Sequence, residues 1–235
     1  MISLPATLLL AWLAGLSMPA GALVAANTRL RSICLKHDLD SFVAYFGGGA
    51  LFAAIALVLI PQGIAHTTVL PAAAAFLVGG IVFWQVSAWI RRSGHRASQF
   101  IGMLLDFLPE SIALGAAARI DVNIVYLLAG LIALQNLPEG FAAYREMREG
   151  VAPRRLWLLL LVAPLVGPLA AWAGFAWLST SNGTLGLIML FCSGGILYLI
   201  FQDIAPRAHL QHRDFPAIGA VSGFLLGMVG TMLLH

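Results

Sequence analysis

The sequence predicts an all-α membrane protein, with eight transmembrane helices forming one polytopic domain over residues 1–235. Three observations lead there. Of the residues, 60% are hydrophobic and only 10% charged, whereas soluble domains carry about 25% charged residues. Eight apolar windows fall at roughly 3–26, 42–62, 69–90, 98–118, 122–143, 156–178, 184–205 and 215–234, each near the length of about 20 residues that crosses a bilayer. The charges collect between these windows, which leave short loops and no room for a soluble domain.

Span one is apolar around Pro19, and its basic residues follow the apolar core instead of preceding it. That order favours an uncleaved span over a signal peptide, although Ala20-Gly21-Ala22 leaves cleavage open. Span two holds Gly47, Gly48 and Gly49 and ends at Pro61; span three holds Gly79 and Gly80; span seven holds Gly194 and Gly195. Small residues let membrane helices approach closely, so packing accounts for most of these glycines. Trp84, Trp89, Trp157, Trp172 and Trp177 mostly lie near span ends, where interfacial anchors are expected. Span eight is a plain apolar run.

Charge placement sets the orientation. Arg29, Arg31 and Lys36 follow span one; Arg91, Arg92 and Arg96 follow span three. Arg145, Arg148, Arg154 and Arg155 follow span five, and Arg207 and Arg213 follow span seven. Only Arg119 lies on the other side, so twelve of the thirteen Lys and Arg residues share one compartment. The bias places both termini outside. For a bacterial chain the membrane would be the cell inner membrane. The net charge of +3 is therefore a topology signal and not a nucleic-acid surface. The two cysteines, Cys34 and Cys192, form no metal motif and imply no disulfide framework.

Spans one to three and six to eight show faint correspondences. Pro19 resembles Pro168 in position, and Gly49-Ala-Leu-Phe leading to Pro61 resembles Gly195-Ile-Leu-Tyr leading to Pro206. Three spans starting outside and three starting inside would form an inverted repeat around spans four and five. Transporters with such repeats hold their substrate near the repeat interface.

Spans four and five carry the chemistry. Asp106-Phe-Leu-Pro-Glu110-Ser111 is echoed 29 positions later by Gln135-Asn-Leu-Pro-Glu139-Gly140. A carboxylate at bilayer depth costs about 2.5–3.5 kcal/mol on insertion scales, so it marks function or a partner. Residues i and i+4 share a helix face. Asp106 lies ten residues beyond Arg96 and Gln135 ten before Arg145, which at about 1.5 Å per residue puts both near mid-bilayer. Pro109 and Pro138 free the carbonyls of Leu105 and Leu134 and kink each helix beside its glutamate. Opposed, the two faces would offer one cation the oxygens of Asp106, Glu110, Gln135 and Glu139. A structural polar network between two kinked helices is the plainer alternative.

These segments resemble the signature of the ZIP (Zrt/Irt-like) family of zinc and iron permeases, with its eight spans, outside termini and His-Asn-x-Pro-Glu-Gly-type motifs on spans four and five. Asp106 stands where that family usually has histidine and Phe107 where it has asparagine. Glu110 matches, as do Gln135, Asn136 and Glu139. The resemblance thus implies Asp106, Glu110, Gln135, Asn136 and Glu139 as metal ligands. Asp203-Ile-Ala-Pro206 resembles the acidic end of span seven, and with His209 and His212 suggests a possible inner exit path; ordinary interfacial positions are the favoured explanation of these two histidines. Phe107 removes one ligand of a second, adjacent metal position, and Gly167-Pro168 occupies the neighbourhood of a span-six glutamate. One primary site would remain.

The function expected is transmembrane transport of a divalent metal cation. Zinc follows from the resemblance, while an all-oxygen site favours Mn²⁺ or Fe²⁺. The metal is substrate and no cofactor is implied. The other surroundings are the bilayer, and a homodimer is left open. An intramembrane hydrolase is the enzyme alternative, but no Ser/His or His-Glu-x-x-His arrangement lies in a span, so no enzyme is expected. A ZIP-derived protein that senses metal or binds a partner without transporting is the remaining alternative.

Overall fold

Pro61 follows a stretch in which the helix widens. A proline ring collides with the carbonyl four residues back, here that of Leu57. The chain answers with a π-helical turn over Ala54–Leu59, and a second π turn spans Ile200–Ile204. The Ala205 N–H accordingly bonds to the Ile200 carbonyl, five residues back.

The computed structural model describes residues 2–29, 39–92, 98–119, 121–178, 182–205 and 217–234. Among them all regular structure is helical, and eight helical elements organise it. The first, α1, runs Leu4–Gly15 and, after a break at Leu16, Ser17–Ala26. The second, α2, comprises Leu39–Ala53, the π segment Ala54–Leu59 and Ile60–Ile64. Then come α3 (Val69–Arg92), α4 (Ser98–Ala117) and α5 (Val122–Met147). The sixth, α6, is interrupted: Pro153–Val162, a 3-10 turn at Ala163–Leu165, Val166–Ala173 and a π turn at Gly174–Leu178. Last are α7 (Asn182–Leu199, continuing through Ile200–Ile204) and α8 (Ile218–Leu234).

Seven of these helices are long and apolar enough to cross a membrane, α1 to α7, making this a multi-pass integral membrane protein. The eighth expected span appears as the shorter apolar helix α8. Prolines 109 and 138 sit inside α4 and α5, as the sequence requires.

Packing follows a paired scheme. Helix α2 lies against α8 as α7 lies against α3, and α1 lies against α5 as α6 lies against α4; α4 and α5 pack on each other in the middle. Each of the four peripheral crossings carries a reciprocal pair of glycines that face the partner's backbone, and the α2–α8 crossing adds Gly219 against the Phe42 carbonyl. Side chains on Gly49 and Gly223 would strike the carbonyls of Ala220 and Phe46, and on Gly79 and Gly194 those of Phe191 and Phe76. Gly21 and Gly140 lie likewise on Leu137 and Met18, and Gly115 and Gly174 on Ala171 and Ile112. In every reciprocal pair each glycine stands three residues after the carbonyl its own helix presents. Backbones meet at these points with no room for a side chain, which is how helices gain contact where lipid supplies no hydrophobic drive.

Candidate functional site

The central pair α4 and α5 carries the polar residues, and each turns one face toward a small cavity of about 60 Å³. On α4 that face is Gln99, Gly102, Met103 and Asp106; on α5 it is Gln135, Pro138, Glu139 and Ala142. Both sets recur at i, i+3, i+4 and i+7, one stripe of an α-helix. Gly47, Gly48 and Leu51 of α2, with Ile200 and Ile204 of α7, complete the walls. A volume of this size takes a partly hydrated ion or a few waters, each needing about 10–15 Å³. The cavity extends from Asp106 and Glu139 toward Gln99 at the start of α4, the end next to the basic loops.

The carboxylates differ in setting. Asp106 is buried and Glu139 partly exposed, both on the cavity wall. Glu110 does not line it. Its Oε2 accepts a hydrogen bond from Gln135 Nε2, so Glu110 lies behind the amide that Gln135 brings to the cavity. Asn136 is buried and turns elsewhere, donating Nδ2 to the Ala14 carbonyl at 3.3 Å beside the break in α1. Ser17 Oγ donates to the same carbonyl at 2.6 Å.

Of the five expected ligands, then, Asp106, Gln135 and Glu139 share the cavity, Glu110 joins through Gln135, and Asn136 faces α1. The four-oxygen convergence expected from spacing becomes three groups in front and one behind. Residues four apart are still rotated by about 40°, and the way α4 and α5 pack decides which of them looks inward. Among the described residues no three of His, Cys, Asp and Glu gather as a group that could hold a metal ion. The polar layer nonetheless contains buried acceptors without a hydrogen-bond partner: Glu110 Oε1, Gln135 Oε1, Asn136 Oδ1 and Ser111 Oγ. Buried polar atoms are normally paired, so this layer asks for a cation, a proton or water.

For the expected exit path, Asp203 falls in the π turn Ile200–Ile204 whose Ile200 and Ile204 line the cavity. His209 and His212 lie outside the described residues. Sequence reasoning passed over Gln99 and Ser111. Gln99 was legible in principle, being seven residues before Asp106 on the same stripe. Its backbone N–H donates to Glu146 Oε2 at 2.7 Å, tying the start of α4 to the end of α5.

Comparison with protein-family models and with curated proteins finds no match for this chain.

Proposed function

We propose that this chain is a ZIP-like membrane carrier that moves a divalent metal cation through the cavity between α4 and α5. One observation carries the reading: two carboxylates, Asp106 and Glu139, and the Gln135 amide line a single cavity beside two helices that each hold an internal proline. A bare divalent ion cannot enter hydrocarbon unless its charge is offset and its lost water replaced. Two carboxylates and an amide oxygen do both. Oxygen donors favour harder ions such as Mn²⁺ or Fe²⁺, while the resemblance to ZIP permeases favours Zn²⁺.

The proposed architecture is eight spans with both termini outside, α1 to α3 and α6 to α8 forming an inverted repeat around α4 and α5. The packing supports it. Exchanging α1 with α6, α2 with α7, α3 with α8 and α4 with α5 maps each peripheral crossing onto another, reciprocal glycines included. The interval also agrees, since Gly49 precedes Pro61 by twelve residues and Gly194 precedes Pro206 by twelve.

Uptake of Zn²⁺, Mn²⁺ and Fe²⁺ into liposomes holding the purified chain tests the reading. Flux above empty liposomes, lost with Asp106→Ala and Glu139→Ala, is the expected result. The alternative reading is a ZIP-derived membrane protein that senses metal or binds a partner without transporting. Metal binding with no flux would select it.

A further inference from the structure

Two spaces in the molecule share a wall. Gly48, Ile200 and Ile204 line the polar cavity, and the same three residues line a groove of about 440 Å³ between α2, α7 and α8. The divider is thin. A Cβ on Gly48 would come within 2.9 Å of Ile204 Cγ2 and 3.1 Å of its Cδ1, so an isoleucine side chain packs there on bare backbone. Ile200 and Ile204 are the two ends of the π turn that continues α7, and such turns are frequent at functional sites. Tyr45 secures the end of that turn, its hydroxyl donating to the Ala205 carbonyl at 3.2 Å.

The groove differs from the cavity in chemistry. Among its described lining Tyr45 is the one polar side chain, and its hydroxyl is committed to Ala205. Phe52, Phe201, Val221 and Phe224 form most of the rim, with the Phe52 and Phe224 rings 5.8 Å apart. The groove opens sideways, where Phe52 is 41% exposed, Val221 61% and Phe201 65%. Since α2 and α7 cross the membrane, this opening meets hydrocarbon. Membrane helices approach each other through small residues. Three phenylalanine rings at the rim hold another helix off, while the slot between them admits a flexible chain. The volume falls within the range of about 300–1,000 Å³ that small-ligand sites occupy. A further apolar groove beside Pro109 and Cys192 shares no residue with the cavity.

We propose that the groove is a seat for one acyl chain of a membrane phospholipid, and that the seated chain backs the Gly48–Ile204 wall of the cavity. The seat lies at the basic-loop end of the bundle, because Tyr45 is near the start of α2, Ala220 near the start of α8 and Ala205 at the end of α7. The chain fills the space into which Ile204 would otherwise swing away from Gly48, so the lipid completes the wall that keeps hydrocarbon and the polar cavity apart. The seat stands whether or not the cavity carries an ion.

The test reads lipid contact and uses no metal. The purified chain is reconstituted with a phosphatidylcholine that carries a diazirine midway along one acyl chain. It is then solubilised and washed in detergent before irradiation, so that only retained chains label, and mass spectrometry of the digested protein locates the adducts. Adducts are expected on Phe52, Phe201, Val221 and Phe224, with background alone on Leu77 and Val78 of α3, which are exposed outside the groove. Val221→Trp fills the groove and should abolish the adducts on Phe52 and Phe201. Ile204→Ala removes the divider and should bring adducts onto Leu51 and Met103, cavity residues that the parent protects. The parent's own map decides the seat without any variant. Adducts spread evenly over the groove and α3 overturn it, as does a groove free of adducts; if that chain elutes as a dimer, a second copy is the occupant. Groove adducts in the parent with none on Leu51 or Met103 in Ile204→Ala overturn the shared wall.

Discussion

Gln135 donates its side-chain amide to Glu110 while lining the cavity that Glu110 does not reach. The amide therefore joins two carboxylate environments, one open to the cavity and one sealed behind it. Gln135→Ala should leave the buried Glu110 without its donor, which costs about 1–3 kcal/mol. Thermal unfolding in detergent measures the loss. Glu110→Gln should relieve part of it, so the double variant is expected to be less destabilised than the sum of the two singles.

Asp106→Asn and Glu139→Gln preserve size and remove one negative charge each from the cavity wall. Each should abolish metal uptake in liposomes while leaving the protein folded. Glu149→Gln, exposed beyond the end of α5, should transport normally. Uptake unchanged in the first two variants would mean that the cavity does not carry the ion.

Protons and metal compete for the same carboxylate oxygens, since a coordinated carboxylate must be deprotonated. Metal affinity should therefore fall as the medium is acidified, and binding at acidic pH should release protons. Calorimetry in buffers of differing ionisation enthalpy counts them. An affinity independent of pH between neutral and strongly acidic conditions would exclude Asp106 and Glu139 as ligands.

Gly49→Ala and Gly194→Ala insert a methyl group where backbones already touch, against the carbonyls of Ala220 and Phe76. Overpacking of this kind costs about 1–3 kcal/mol. The two substitutions should lower the unfolding temperature by similar amounts, because their crossings match. Gly102→Ala, where a methyl group meets nothing within 4 Å, should be close to neutral.

Much of this was legible in the chain itself. Apolar windows located the long helices, and the i, i+4 spacing beside two prolines singled out Asp106 and Glu139. The sequence could not say which of two carboxyls four residues apart would face the cavity, because that depends on how α4 and α5 turn against each other. Nor could it assign Asn136, whose partner Ala14 is 122 residues away. Phe107 and Gly167 each read as the loss of a ligand; folded, the ring of one fills the notch left by the other. The proposed repeat is faint in the sequence for a similar reason. Sequence matching paired Pro19 with Pro168 and Gly49 with Gly195, whereas the crossings pair Gly21 with Gly174 and Gly49 with Gly194. Equivalence in such a bundle is set by where backbones touch, and a few residues of insertion within a helix hide it.

The pairing of α2 with α8 bears on how the protein is made. Gly49 and Gly223 meet across 174 residues of chain. At a synthesis rate of about 5–20 residues per second, α2 waits roughly 9–35 seconds before its partner is made. During that interval its glycine face stands open to lipid or to whatever insertion machinery shelters it. Helix α3, by contrast, waits for α7 alone. A chain cut short before α8 would keep the contacts of α2 with α5 and α7 but leave its glycine face uncovered, a natural mark for quality control to recognise.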